Sequence, residues 1–452
     1  MKFKVLHKYF FLFESHAAFR AIALLISSFP ILPYGVRSVC TMSLLFVSIL
    51  IAIKKPGIKN VNTSNLHLKA LAILSAPFVI LIVSLFYSNN LNEGINSLTH
   101  MLSLLAFPII LFLVRDSIDN KLVKDSCVIF ITSVILLVLY QLFTCISNYT
   151  YLTANLSQSE LILNNIKEPF KTLDIDIINK IKIRRFRTFL IDKTDTHPTY
   201  LGMWIVFSFF ILFKTYSLVK YKPTTRLIYL FVSALLLTWL FMIASRISLI
   251  AFIITFVFSN FLYVEKKTSP KKLVFSSGLI VLFVATCYVS IPSFKNRVHE
   301  FSSFGLNLPT KGADIYNFNS SNVRFGVYYC SYKRILEAPF LGTGIGDVQE
   351  GLNHCYSNEV SAMVYTWRDH NSHNQFLFFT LSAGLFGLLV FIFTLFYQIR
   401  KALKDRNNIY LCFLIIIICF SLTENILVRS DGVVFYAFFS SLFMFNSKYG
   451  IS

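Results

Sequence analysis

The chain has 452 residues, of which 55% are hydrophobic and 14% are charged, whereas soluble domains contain about 25% charged residues. So little polar surface cannot cover a water-exposed globule, which excludes a soluble protein of two or three domains. The formal net charge of +20 is typical of nucleic-acid-binding proteins, so the positions of the basic residues must be considered before that function is accepted.

Apolar runs recur along the whole chain at the length of about 17–25 residues that a helix needs to cross a bilayer. Strands of a transmembrane barrel would instead alternate over about ten residues. The sequence therefore predicts an all-α, polytopic helical membrane protein with about 12 transmembrane helices, the first of them retained as a span because no signal-peptide cleavage pattern follows it. The predicted spans are 17–33, 38–53, 70–87, 97–114, 126–147, 198–213, 227–245, 247–263, 273–291, 374–398, 409–427 and 432–447.

Basic residues are concentrated in the connections on one side of these predicted spans. With the N-terminus placed in the cytoplasm, the basic clusters near residues 54–69, 115–124, 214–226, 266–272 and 400–406 all fall on the cytoplasmic side. The short connections on the opposite side contain few cations. This distribution follows the positive-inside rule and accounts for most of the net charge, so we expect no nucleic-acid partner.

Two long segments, 148–197 and 292–372, fall on the non-cytoplasmic side. The second is far longer than an ordinary connection, which predicts a functional and partly helical loop. The chain would then also comprise an N-terminal five-span bundle, four central spans and three C-terminal spans, at 1–147, 198–291 and 373–452.

The eight cysteines show no metal-ligand spacing, and we expect no metal site. Cys330 and Cys355 share the large outer loop, where an oxidising compartment would permit a disulfide. The sequence leaves two readings open, a disulfide between them or two free thiols.

The strongest local pattern is His373-Asn374 followed nine residues later by Gly384 and Gly387, in HNQFLFFTLSAGLFG. The pair would lie at the outer mouth of a span, and the glycines would let a neighbouring helix approach closely. An imidazole at this place can exchange a proton near neutral pH. The alternative is an interfacial histidine that only binds a neighbouring side chain.

Arginines in three further segments fall on the same outer side. Arg246 separates two apolar runs, where a cation needs a partner or a function, unless it reaches the headgroups from a short turn. Arg324 precedes a turn-rich segment with three alternate glycines at 342–346, which is a weak phosphate-cradle pattern and is also typical of a plain turn. Arg185 and Arg187 precede a histidine at the mouth of another span, where a solvated loop end is the alternative. Guanidinium groups match phosphate oxygens and an imidazole can act as a base, so the set suits a diphosphate leaving group and a hydroxyl nucleophile.

The pattern H-[NSQ]-x9-G-x-x-[GTY] resembles the signature of the O-antigen ligase family, and His373, Asn374, Gly384 and Gly387 fit it without a gap. Four other segments are similar to ligases and polymerases of that family over roughly 180–440. These segments are HPTYLG at 197–202, SRISLIA at 245–251, the arginine-to-glycine stretch at 324–346 and LTENILVRSDGVVFYAFF at 422–439.

The resemblance implies a glycan transferase at the periplasmic face of the bacterial inner membrane, with two long periplasmic loops and no cofactor. Its donor would be an undecaprenyl-diphosphate-linked glycan, and its acceptor a sugar hydroxyl of lipid A–core for a ligase or another lipid-linked repeat unit for a polymerase. By position, His373 would deprotonate the acceptor hydroxyl, with Asn374 beside it as a substrate-binding residue. Arg246 and Arg324 would neutralise the diphosphate, assisted by Arg187 or Arg185, in a single inverting displacement.

Two alternatives remain open in the sequence. His370 lies three residues before His373 and would share its helix face if the helix began early, so it could share or replace its role. A lipid or glycan transporter is the competing function, but it would require ionisable residues in the middle of the spans, and these are nearly free of charge.

Overall fold

A computed structural model of the chain describes residues 2–54, 61–163, 166, 170, 173, 175–218, 223–243, 245–262, 278, 281–282, 284–286, 288–289, 295, 307–309, 320–367 and 369–446. Within these ranges the chain forms helices and turns and no β-strand. The first helices are α1 Lys2–Ser27, α2 Tyr34–Lys54, α3 Val61–Leu85, α4 Leu91–Met101, α5 Ser103–Leu113, α6 Asn120–Ser147, α7 Tyr149–Thr153, α8 Gln158–Leu163 and α9 Ile175–Thr194. The others are α10 Pro198–Leu218, α11 Pro223–Ile243, α12 Arg246–Leu262, α13 Ser320–Glu337, α14 Val348–Cys355, α15 Gln375–Lys404, α16 Asn408–Ser421 and α17 Ser430–Phe445.

Six of the described helices are long and apolar enough to cross a membrane, and the bent pair α4–α5 would be a seventh. The six are Tyr34–Lys54, Asn65–Leu85, Asn120–Ser147, Pro198–Thr215, Pro223–Ile243 and Gln375–Lys404. Shorter apolar helices lie at four other predicted spans, and the predicted span 273–291 falls largely outside the described residues. The helical membrane class is thus confirmed, while the count of twelve spans stays a prediction.

One predicted span is divided in the structure. The run 97–114 was expected to form a single span, but α4 and α5 meet at Leu102 with a bend of 41°. Leu98 and Met101, which lie just before the bend, are both buried against the rest of the bundle.

Helix α17 lies at the centre of the bundle, because every residue from Asp431 to Phe445 is buried. A helix that is apolar on all sides is stable when either protein or lipid surrounds it, and the burial of α17 shows that protein surrounds it here. Its Phe439 ring packs edge-on against the rings of Phe130 and Phe207, with centroids 5.1 and 5.3 Å away. This central position fixes the loop 422–429, which precedes α17, in the middle of one end of the bundle.

Several helices begin or end at the same end of the bundle as this loop. Helices α10, α12, α15 and α17 begin there, and α11 and α16 end there. The outer helices α13 and α14 pack over this end and against α15. A disulfide between Cys330 and Cys355 joins α13 to α14, which resolves the two readings of the sequence in favour of the bonded form.

Candidate active site

His373 lies in a tight turn directly before α15 and has a left-handed backbone, with φ of +44°. This conformation costs a non-glycine residue about 1 kcal/mol, so neighbouring groups must hold it. The His373 amide donates to the side-chain oxygen of Asn371, 3.0 Å away. Asn374 caps α15, since its side-chain oxygen accepts from the amides of Phe376 and Leu377 at 2.9 and 3.2 Å. Such a cap begins the helix at residue 375 and keeps His373 in the turn.

The loop 422–429 fastens this turn from the other side. The amide of Asn374 donates to the side-chain oxygen of the buried Asn425, 2.8 Å away, and the Asn425 amide group donates to the Ser372 hydroxyl at 3.0 Å. The amide of Leu427 donates to the side-chain oxygen of Gln375 at 2.9 Å. The backbone around His373 is therefore held both by neighbouring residues and by the loop 422–429, which is distant in the chain.

Glu424 connects the predicted base to a predicted arginine. One of its carboxylate oxygens lies 3.3 Å from Nδ1 of His373, and the other accepts from Nη2 of Arg324 at 2.5 Å. About one sixth of the Glu424 side chain and about a quarter of the His373 side chain are exposed, so a ligand can reach the histidine. The sequence analysis did not select Glu424 as a site residue. The feature that could have indicated it is its position in the LTENILVRSDG segment, which resembles the O-antigen ligase family.

Electrostatics keep this carboxylate ionised. Burial raises the pKa of Glu424, but the hydrogen bond from His373 and the positive charge of Arg324 outweigh it, so the net pKa is below its usual range. An ionised carboxylate can only accept, so Nδ1 of His373 is the donor in this contact. Nε2 is then the ring nitrogen that holds a lone pair when the imidazole is neutral.

Arg246 joins the same cluster through the first turn of α13. It begins α12, and its Nη1 donates to the hydroxyl of Ser321, 2.7 Å away. Ser321 precedes Arg324 by three residues, so the two lie on one face of α13. The structure thus brings together Arg246, Arg324 and His373, which three separate segments of the sequence supply.

The glycine part of the motif breaks helix α15. Gly384 has φ of +62°, and a Cβ there would collide with the carbonyl group of Phe340. The amide of Leu385 donates to the Pro339 carbonyl at 2.9 Å, and the amide of Thr343 donates to the Leu381 carbonyl at 2.8 Å. The expectation that a neighbouring helix approaches these glycines is wrong at Gly384, where the loop 339–344 fits into the break.

Residues 231–392 match the family model described as O-antigen ligase. The match confirms the resemblance to the O-antigen ligase and polymerase family that the motifs predicted. A search of curated proteins finds no match.

The O-antigen ligase match contains Arg246, Arg324, His373 and the break at Gly384, and it ends before Glu424. The glycines at 342–346 also lie within it. Their segment does not form a phosphate cradle, because the amide of Gly344 donates to the Ser382 carbonyl at 3.1 Å and the amide of Gly346 donates to the Ser88 hydroxyl at 3.1 Å. This part of the O-antigen ligase region therefore connects α15 to the turn after α3.

Arg185 is used within the first loop. Its guanidinium binds both carboxylate oxygens of Glu160, at 2.7 and 2.6 Å, and donates to the carbonyls of Tyr151 and Ala154 at 3.0 and 2.9 Å. The side chain is buried, and these contacts hold α9 against the segment 149–160. Arg187 lies two residues further along α9 and is half-buried. The hydrogen bonds of Arg185 thus go to Glu160 and to loop carbonyls of the segment 149–160.

His370 and Asn374 make structural contacts beside His373. The His370 ring is buried and meets the Tyr365 ring edge-on at 5.4 Å. Its carbonyl accepts from the Tyr356 hydroxyl at 3.0 Å. Because α15 begins only at residue 375, His370 and His373 do not share a helix face, and His373 is the more exposed of the two. The side-chain oxygen of Asn374 caps the helix, and substrate binding by this residue stays a prediction.

Proposed function

We propose that the chain is an O-antigen ligase, which transfers a glycan from a polyprenyl diphosphate to a sugar hydroxyl of lipid A–core. The observation that carries this proposal is the sequence of contacts from Arg246 through Ser321 and Arg324 to Glu424 and His373. Two guanidinium groups and one imidazole lie along these contacts at a single end of the bundle, which supports the proposal. The family match supports a transferase that uses a lipid-linked glycan.

The arginines would bind the diphosphate of the donor. A guanidinium carries five N–H donors in a fork that matches phosphate oxygens. Nη2 of Arg324 binds Glu424 and Nη1 of Arg246 binds Ser321, so each guanidinium is held in place at this end of the bundle. Two positive charges stabilise the negative charge that develops on the leaving diphosphate. Arg187 is kept as an assisting residue in this proposal, and Arg185 is left out because its donors hold the first loop together.

His373 would activate the acceptor. Nε2 takes the proton of the attacking hydroxyl, whose oxygen forms a bond to the anomeric carbon on the face opposite the diphosphate. The bond between that carbon and the diphosphate oxygen breaks, and its electron pair leaves with the polyprenyl diphosphate. The ionised Glu424 stabilises the imidazolium that results and orients the ring. A single displacement of this kind inverts the anomeric configuration, and it needs no metal ion or cofactor in the proposal.

The distribution of charge supports a periplasmic site in the bacterial inner membrane. Basic residues lie at the end of the bundle opposite His373, where α2 ends with Lys54 and α15 ends with Lys401 and Lys404. Cytoplasmic connections carry such an excess of Lys and Arg. We therefore place His373 on the periplasmic side, where a flipped lipid-linked glycan and lipid A–core meet.

The proposal is tested by gel electrophoresis of lipopolysaccharide from a strain without this chain and from strains complemented with its variants. In a strain without this chain, we expect lipopolysaccharide that lacks the whole O-antigen ladder, while lipid-linked polymer accumulates. Lipopolysaccharide that carries core plus one repeat unit would instead identify a polymerase, which has the same donor chemistry. Complementation with His373→Ala or Arg246→Ala should fail at normal expression levels, and a full ladder from either variant would refute its proposed role.

A further inference from the structure

A cavity of about 510 Å³ lies between the turn after α1, the outer part of α6 and the end of α9. This volume lies in the range of pockets that bind small organic molecules. The polar and aromatic groups that line it are Tyr34, Arg37, Tyr140, Asp192, Lys193, Thr194 and Asp195. Neither the proposed reaction nor the family match uses these residues.

The charges of this lining do not suit an anionic ligand. Arg37 is buried and binds the buried Asp431 at 2.6 Å, so its charge is already neutralised. The single positive charge of Lys193 is then outweighed by the two carboxylates of Asp192 and Asp195, which leaves the lining with one net negative charge. Exposed carboxylates at the rim of a cavity accept hydrogen bonds from neutral hydroxyl groups. The lining therefore favours a neutral ligand that is rich in hydroxyls.

The aromatic groups favour a ligand with ring-shaped apolar faces. Tyr34 and Tyr140 are 39% and 48% exposed, and both line the cavity. The face of an aromatic ring is electronegative and attracts the C–H groups of a sugar ring, while the tyrosine hydroxyl can bind a polar group. Prolines and leucines close the remaining wall of the cavity. Aromatic faces next to carboxylates are the combination that recognises a saccharide.

The cavity is connected through Tyr34 to the end of the bundle that carries His373. The Tyr34 hydroxyl lies 3.1 Å from the carbonyl oxygen of Asp195 and 3.1 Å from a carboxylate oxygen of Asp431. Asp431 lies in the first turn of α17, and the loop 422–429 with Glu424 directly precedes this helix. A ligand beside Tyr34 would therefore lie at the end of the bundle that carries Glu424 and His373.

We propose that this cavity binds a sugar residue of the acceptor glycan and so presents the acceptor hydroxyl to His373. The inference rests on the proposed transferase function and adds the acceptor subsite to it. The prenyl chain of the donor is a poorer occupant, because a hydrocarbon tail would have to desolvate Asp192, Lys193 and Asp195 without replacing their hydrogen bonds.

The test measures binding of delipidated core oligosaccharide to the full-length protein in nanodiscs, by calorimetry. Tyr140→Ala and Asp192→Asn should each weaken binding about tenfold, because each removes a direct contact with the saccharide. Tyr149→Ala, an exposed tyrosine outside the cavity, and Asp125→Asn, near the opposite end of α6, should bind like the wild type. Wild-type affinity in both cavity variants, or no binding to the wild-type protein, would overturn the inference.

A kinetic measurement separates this inference from the proposed function. With purified lipid-linked donor, the cavity variants should raise KM for the acceptor about tenfold and leave KM for the donor unchanged, since they remove binding that is equal in the ground and transition states. A rise in KM for the donor alone would assign the cavity to the prenyl chain and overturn the inference. His373→Ala should bind the oligosaccharide normally and transfer nothing, and transfer by this variant would refute the proposed base whatever the cavity binds.

Discussion

A carboxylate oxygen of Glu424 lies 3.3 Å from Nδ1 of His373. Glu424 belongs to a loop and follows His373 by 51 residues in the chain. The same carboxylate binds Arg324, which lies 100 residues earlier. One acidic side chain thereby sets the position of both the proposed base and a proposed phosphate-binding group. Its substitution should affect chemistry more than substrate binding.

Glu424→Gln should lower kcat about 100-fold while KM for the donor changes little, because the amide oxygen can still accept the hydrogen bond from Arg324. The amide keeps the size of the side chain but removes the charge that stabilises the imidazolium and selects the Nδ1–H tautomer. Transfer by purified protein measures both constants. Glu350→Gln, on the exposed side of α14, is the matched control and should behave like the wild type. An unchanged kcat in Glu424→Gln would show that the carboxylate does not act through His373.

Stability should depend on pH through the same residue. The pKa of Glu424 is lower in the folded protein than in the unfolded chain, so its ionised form favours folding above the unfolded value of 4.5. That contribution is lost as the pH falls through the folded pKa. Thermal unfolding in detergent should therefore show a decrease in Tm below about pH 4.5 that is smaller in Glu424→Gln. If Tm fell equally with pH in the wild type and in Glu424→Gln, the ionised Glu424 would not contribute to stability.

Asn374 is expected to act as a positioning residue. Asn374→Ala removes the cap of α15 and should cost about 1 kcal/mol of stability, together with a lower kcat because the turn at His373 loosens. Asn374→Ser keeps a capping oxygen and should restore both. Thermal unfolding and transfer kinetics check the pair. If Asn374→Ser remained inactive at wild-type stability, the amide would instead contact substrate, as the sequence had suggested.

The disulfide should stabilise the layer that carries Arg324. Cys330 and Cys355 close a loop of 25 residues, and releasing such a loop costs about 3 kcal/mol in the chain-entropy account. The double variant Cys330→Ser/Cys355→Ser should unfold at a lower temperature and show a higher KM for the donor. Cys412→Ser, which removes a buried free thiol of the bundle, is the control and should leave KM for the donor unchanged. An unchanged KM would mean that α13 keeps Arg324 in place without the bond.

The sequence predicted the helical membrane class and singled out Arg246, Arg324 and His373, because both predictions depend on local patterns. Apolar run length gives the spans, and a histidine or arginine at the mouth of a span is visible without a structure. Glu424 was missed because its partners are far away in the chain. Arg185 illustrates the opposite problem, since a cation near the rim has the same sequence pattern whether it binds Glu160 and loop carbonyls or a phosphate. Only the folded arrangement separates these cases.

The broken helix α15 was also beyond the sequence. A glycine in an apolar span usually indicates close packing between helices, and the run 374–398 contains no proline to mark a break. The break arises because the amides of Thr343 and Gly344 bond to the carbonyls of Leu381 and Ser382, which replaces helical bonds with tertiary ones. These tertiary bonds depend on a segment about 40 residues earlier, so local propensity could not predict them.

Gly384→Ala should be the most damaging single-methyl substitution among these sites. The added Cβ would strike the carbonyl of Phe340, and the residue would keep a left-handed φ of +62°, so we expect a loss of about 3 kcal/mol or more. Gly35→Ala adds the same methyl where nothing lies within 4 Å and should leave Tm unchanged. Because the break anchors the segment that follows α13, Gly384→Ala should also reduce transfer in the fraction that remains folded. A Gly384→Ala protein as stable and active as Gly35→Ala would show that the loop 339–344 does not depend on the break.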